Sequence, residues 1–151
     1  MKTLFTYLAP VALCFLVGWV AMLFQREALV EWYPTLVKSP LTPSDRYFPS
    51  IWAIIYVCMG LSLGRLIAVA KGRNLGLWLL VLAINFMWSP MFFYMRSPIS
   101  GLANIILLDI AVLTYIFVTW RDSKLASLLF VPYLAWLGFA TYLNLYIYLY
   151  N

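Results

Sequence analysis

Histidine is absent from all 151 residues of the chain, and only five acidic residues stand against ten lysines and arginines. Without imidazole there is no His-box di-iron site, no His-ligated haem, no His-based zinc site and no usual general base. A Ser-His-Asp set cannot exist, and no Gly-rich phosphate loop is present. Four of the acids (Glu27, Glu31, Asp45 and Asp122) fall in polar connections, which leaves Asp109 as the one acid within a long apolar stretch. A proton-coupled pump normally carries paired carboxylates at such depth. Conventional hydrolytic or metal-dependent catalysis is therefore disfavoured: the expectation is no catalytic residue, no metal ligand and no cofactor, and the weight moves to binding. The two cysteines, Cys14 and Cys58, lie in apolar stretches and read as small buried hydrophobes rather than a disulfide.

What is abundant is apolar and aromatic. The chain is 66% hydrophobic and 10% charged, with mean hydropathy +0.93, seven tryptophans, eleven tyrosines and ten phenylalanines. A soluble domain of this size has too little interior for that much apolar surface. Five runs, Leu4–Phe24, Tyr47–Ala70, Leu75–Met95, Ile99–Trp120 and Leu125–Tyr150, are each about the roughly 20 residues that a helix needs to cross a bilayer. The predicted fold class is an all-α integral membrane bundle of five helices, a single domain over residues 1–151. The links Lys71–Asn74, Arg96–Pro98 and Arg121–Lys124 are short and make sequential spans antiparallel. Gln25–Arg46 is the one connection long enough for a lid.

The basic residues are scattered at span ends with no stripe, so no nucleic-acid partner is expected. Lys2, Lys71, Arg73, Arg121 and Lys124, with Arg65 snorkelling to join them, slightly outnumber Arg26, Lys38, Arg46 and Arg96. That margin puts the N-terminus in the cytoplasm. The first run is 21 residues long, beyond the usual apolar core of a signal peptide, and reads as a permanent helix.

Polar and aromatic residues share faces within the spans. Asn85, Trp88, Ser89 and Phe92 recur at i, i+3, i+4 and i+7. An amide beside an indole can grip a flat, partly polar ligand, or Asn85 can bond a neighbouring helix while the rings pack. Trp52 and Tyr56 lie one turn apart behind Pro49, as an interfacial anchor or as a pocket wall. Gly60 and Gly64 form a small-xxx-small pair, suited to close approach within the bundle or in a dimer. Trp136, Ala140 and Leu143 line one stripe of the fifth span. Asn104 and Asp109, five residues apart, point about 140° apart around their helix.

These segments together resemble the translocator protein family, also called the tryptophan-rich sensory protein or peripheral-type benzodiazepine receptor family (TspO/MBR). The resemblance covers most of the chain. It rests on Trp32-Tyr33-x-x-Leu36-x-Lys38 and Thr42-Pro43, on Phe48-Pro49-x-x-Trp52-x-x-x-Tyr56-x-x-Met59-Gly60, on Asn85-x-x-Trp88-x-x-x-Phe92-Phe93, and on Pro132-Tyr133-x-x-Trp136-x-x-Phe139-Ala140-x-x-Leu143-Asn144. It implies five transmembrane helices, a homodimer, and a long loop folded over a pocket for porphyrins, haem, or benzodiazepine- and isoquinoline-type compounds. Carried over residue by residue, the ligand-binding positions are Trp52, Tyr56, Asn85, Trp88, Phe92, Asn104, Trp136, Ala140 and Leu143. The implied partners are such a hydrophobic molecule and membrane lipid, the implied location a bacterial cell membrane, and the implied role sensing, with porphyrin photodegradation or transport as alternatives. Three positions depart from the family pattern. Leu41 replaces a loop tryptophan, Asn104 stands where many members carry an acid, and no basic residue follows the C-terminal tyrosines.

Overall fold

The structure, a computed structural model, describes residues 2–70 and 73–151; the side chains of Lys2 and Thr3 and all of Lys71 and Gly72 lie outside the described residues, so their part in the charge count has no structural counterpart. Among the described residues there are seven α-helices, six of which make up five membrane-crossing units while the second lies in the long loop. They are α1 (Lys2–Leu23), α2 (Arg26–Glu31), α3 (Phe48–Ala70), α4 (Leu75–Ser89), α5 (Pro98–Trp120), α6 (Lys124–Leu128) and α7 (Val131–Tyr150). Among the described residues five stretches are long and apolar enough to span: Leu4–Leu23, Asp45–Ala70, Leu75–Tyr94, Pro98–Trp120 and Lys124–Tyr150. The chain is an integral, multi-pass membrane protein.

Two of these spans are not the continuous α-helices expected from their apolar runs. Pro90 cannot donate to the carbonyl one turn back, and the third span passes from α4 into a π-helical turn over Pro90–Tyr94, where Met95 N–H reaches back five residues to the Pro90 carbonyl at 2.9 Å. The fifth span breaks at Leu129–Phe130, between α6 and α7, and Pro132 sits in the first turn of α7 where a missing N–H does no harm. Serine caps secure the short turns: Ser97 accepts from the Ser100 N–H at 3.3 Å and Ser123 from the Ala126 N–H at 3.3 Å.

The spans close into a ring in which α1 packs against α3 and α4, α5 against α4 and α7, and α6 and α7 against α3. Spans two and three, joined by a short turn, meet over a small area, and α1 packs against both. Glycine makes this possible. A methyl group on Gly60 would lie 2.5 Å from the Val11 backbone, and one on Gly64 would lie 3.0 Å from the Thr6 carbonyl. The small-xxx-small pair thus serves contact within the bundle, α3 on α1.

The two ends of the bundle differ. At the end away from the long loop the core is closely packed and hydrogen-bonded. Ser62 joins the Tyr115 hydroxyl at 2.8 Å and donates to the Ala126 carbonyl at 2.7 Å, and the fully buried Trp78 indole donates to the Met59 carbonyl at 3.0 Å. At the loop end the helices diverge around a cavity.

Candidate functional site

The cavity has a volume of about 390 Å³, within the range of small-molecule sites. All five spans and the long loop contribute to it. Eight of the nine residues expected to bind ligand line it: Trp52, Tyr56, Asn85, Trp88, Phe92, Trp136, Ala140 and Leu143. Asn104 does not. It is buried in α5, and its Oδ1 has no hydrogen-bond partner, while its neighbours Ile105 and Leu108 face the cavity instead.

Each aromatic wall is held by contacts behind it. On the α4 side Trp88 stacks on Phe92 at 5.2 Å with planes 9° apart, and Phe93 meets Trp88 edge-on at 5.4 Å. The Trp88 indole donates to Asn144 Oδ1 at 3.3 Å, and the Asn144 amide is itself pinned to the Ala140 carbonyl at 2.9 Å. On the α3 and α7 side Trp52 packs on Tyr56 at 5.5 Å and on Tyr133 at 6.3 Å, and Trp136 meets Phe48 edge-on at 5.7 Å. The Tyr56 ring fills the space that Gly18 of α1 leaves open, which any Cβ there would occupy. Trp136 also lines a shallow outer groove with Ile51, Ile54 and Phe139, so its indole is part of the wall between the cavity and the lipid-facing surface.

Residues 24–47 fold across the loop end. Trp32 and Tyr33 pack on Phe92 at 5.4 and 6.4 Å. Arg96 holds α2 through Glu27 (2.6 Å) and Glu31 (2.9 Å), and Gln25 donates to Ser89 at 2.7 Å. Arg96 does so from a left-handed backbone, φ 49°, a costly conformation for a residue with a Cβ. Further along, Asn151 exchanges two hydrogen bonds with the backbone of Val37, at 2.8 and 3.1 Å, and Ser39 meets the Tyr142 hydroxyl at 2.9 Å. The Tyr33 hydroxyl is pushed above the ordinary phenol range, first by burial and then by the nearby Asp45 carboxylate.

An apolar, aromatic chamber with a few oriented amides and hydroxyls, roofed by a tethered loop, is suited to enclosing a flat molecule. A family model for the TspO/MBR family matches residues 10–149. The chain belongs to the TspO/MBR family. It is 37% identical over 148 residues to the tryptophan-rich protein TspO of Chlorobaculum tepidum, covering 95% of this chain and 94% of that one. It is 37% identical over 140 residues to the tryptophan-rich protein TspO of Archaeoglobus fulgidus, covering 89% and 90%. With the translocator protein of Homo sapiens it shares 32% identity over 143 residues, covering 91% and 82%.

Several lining residues of this TspO/MBR chain carry no periodic signal in the sequence. Gln25, Tyr33 and Asp45 come from the loop, whose path over the bundle depends on tertiary contacts. Ser89, by contrast, shares the periodic face of Asn85, Trp88 and Phe92, and Asn144 stands in the fifth-span motif, where polarity within an apolar run is its one signal. Asp109, the acid inside the fourth span, accepts from Thr141 of α7 at 2.6 Å and does not line the cavity.

Proposed function

We propose that this protein is a membrane receptor or sensor that binds porphyrins such as protoporphyrin IX or haem, and related flat hydrophobic compounds of the isoquinoline or benzodiazepine type, in the cavity at the loop end. The observation that carries this reading is the convergence of Trp52, Trp88 and Trp136, from three different spans, on one chamber with Asn85 in its wall. Aromatic rings gain about 0.5–1.5 kcal/mol per pair beyond area burial, so indoles facing a planar ligand supply both affinity and orientation. The protein acts in a bacterial cell membrane with its N-terminus in the cytoplasm, an orientation supported by the small excess of basic residues on that side. A homodimer belongs to the same reading; Gly60 and Gly64, occupied by α1, are not its interface.

The test is titration of purified, detergent-solubilised protein with protoporphyrin IX, followed by tryptophan fluorescence, for wild type, Trp136→Phe and Asn85→Ala. Saturable one-site quenching weakened by both substitutions is the expected result. Non-saturable quenching that is identical in all three proteins means nonspecific partitioning and overturns the proposal.

The three indoles favour a second reading, light- and oxygen-dependent porphyrin degradation, because oxidisable rings face the space a porphyrin would fill. In that case illuminated protoporphyrin disappears faster with protein than without, and Trp136→Phe slows the loss. An unchanged rate in the variant rules it out.

A further inference from the structure

Among the described residues that line the cavity, Asp45 alone carries a charge. It opens the 3-10 turn Asp45–Tyr47 that leads into α3, and its carboxylate has no ion-pair partner among the described residues. The cations of the same face do not line the cavity, although Lys38 Nζ lies 4.7 Å from the Tyr33 ring centroid. Lys38 Nζ donates to the Tyr33 and Leu36 carbonyls at 2.8 and 3.3 Å. Arg46 bonds the Tyr47 hydroxyl at 2.8 Å and lies over that ring, and Arg96 is held by Glu27 and Glu31. Arg26 is exposed and does not line the cavity.

We propose that Asp45 sets the charge selectivity of the cavity: a flat apolar ligand is accepted when the part reaching the loop end is uncharged or basic, and resisted when that part is a carboxylate. The inference rests on the reading of the cavity as a site for flat hydrophobic molecules. It follows from the lining. A ligand carboxylate brought to this mouth loses part of its water, finds no cation in the cavity lining, and lies beside the exposed Asp45 carboxylate. An interaction unfavourable to one class of ligand is as effective for selectivity as a favourable one to another. Basic nitrogen heteroaromatics, aromatic amides and esters, and porphyrin esters are favoured; a dicarboxylic porphyrin such as protoporphyrin IX still enters the cavity, more weakly than its ester. The Tyr33 hydroxyl, already kept in its neutral form by burial and by Asp45, is a donor for an uncharged acceptor at the same end.

Protoporphyrin IX and its dimethyl ester separate charge from shape, since they share the macrocycle and differ in two carboxylates. Each is titrated at low ionic strength against wild type, Asp45→Asn and Asp45→Glu, and each ligand is compared with itself across the proteins so that its partition into detergent cancels. Removing one unit charge from a partly solvated mouth should tighten the diacid about fivefold and move the ester by less than about twofold. Asp45→Glu should retain the wild-type preference. Added salt should tighten the diacid on wild type and not on Asp45→Asn. An equal shift of both ligands in Asp45→Asn, or a shift in neither, overturns the role of Asp45 while leaving the binding site standing. Saturable binding of neither ligand to any of the proteins removes the binding reading itself.

Discussion

Tyr133 of α7 donates its hydroxyl to Asn85 Oδ1 of α4 at 2.8 Å, across the interior of the ring, between helices that are not packed neighbours. Tyr133 is fully buried and Asn85 lines the cavity, so the amide is at once a wall of the chamber and a tie that holds the chamber together.

Asn85→Ala should therefore be costly twice. It leaves the Tyr133 hydroxyl without its partner, a loss of about 1–3 kcal/mol for a buried group. It also removes the polar contact that faces ligand. Tyr133→Phe removes the tie and keeps the amide, so it should lower thermal stability less and preserve more porphyrin affinity. Thermal unfolding in detergent, paired with fluorescence titration of both variants, measures the difference.

Trp136→Ala should weaken porphyrin affinity by about tenfold or more, given that stacked rings contribute about 0.5–1.5 kcal/mol beyond burial and the lost wall adds to that. It also joins the cavity to the outer groove, so ligand dissociation should quicken. Trp120, exposed at the far end of α5, should tolerate alanine with affinity unchanged. Asp109→Asn should also leave binding nearly intact, because its contact is to Thr141, outside the cavity. Equal effects from all three substitutions would mean the cavity is not the binding site.

Gly60→Leu should destabilise the isolated protomer. Even a methyl group at this position meets the Val11 backbone at 2.5 Å, and backbone cannot swing aside as a flexible side chain can. Overpacking of this kind costs about 1–3 kcal/mol. The loss should appear in unfolding measured at any protein concentration; a loss confined to the dimer would contradict the intramolecular role.

The Arg96 tie should act on kinetics more than on stability. Both carboxylates are mostly exposed and the Arg96 side chain is 40% exposed, and such solvent-accessible pairs contribute at most about 1 kcal/mol. Replacing Glu27 and Glu31 together by glutamine should leave the unfolding temperature almost unchanged and speed ligand release, measured by stopped-flow displacement. High salt should reproduce the effect in the wild type and add nothing in the double variant.

Alkaline pH should loosen the loop. The Tyr33 phenol is held above its ordinary value of 10.0 by burial and then by Asp45, so the folded state keeps its proton longer than the unfolded chain does. The stabilisation is complete below pH 10.0 and is lost as pH rises from there through the folded value. Loop docking, followed by hydrogen exchange or by quenching of Trp32, should weaken over that range, and Tyr33→Phe should remove this part of the pH dependence.

Composition and run length alone determined that this chain is a five-span membrane protein, because about 20 apolar residues are needed wherever a helix crosses lipid and the sequence has five such runs. The motifs around Trp52, Asn85, Trp88 and Trp136 also marked most of the lining, since residues three or four apart on a helix share a face whatever the neighbours are. What the sequence left open, the tertiary structure decided. Close packing of α1 on Gly60 and Gly64 sets the first span against the second, and no local preference encodes that contact. A π-helical turn beginning at Pro90 and a break at Leu129–Phe130, just ahead of Pro132, interrupt the α-helix in two of the apolar runs. Asn104 and Asp109, like Asn85, are polar residues inside apolar spans, and which of them reaches the cavity is set by rotation of α5 against α4 and α7. The loop shows the same dependence: Asp45 faces the cavity because Arg96, Asn151 and Tyr142, remote in sequence, hold the segment down.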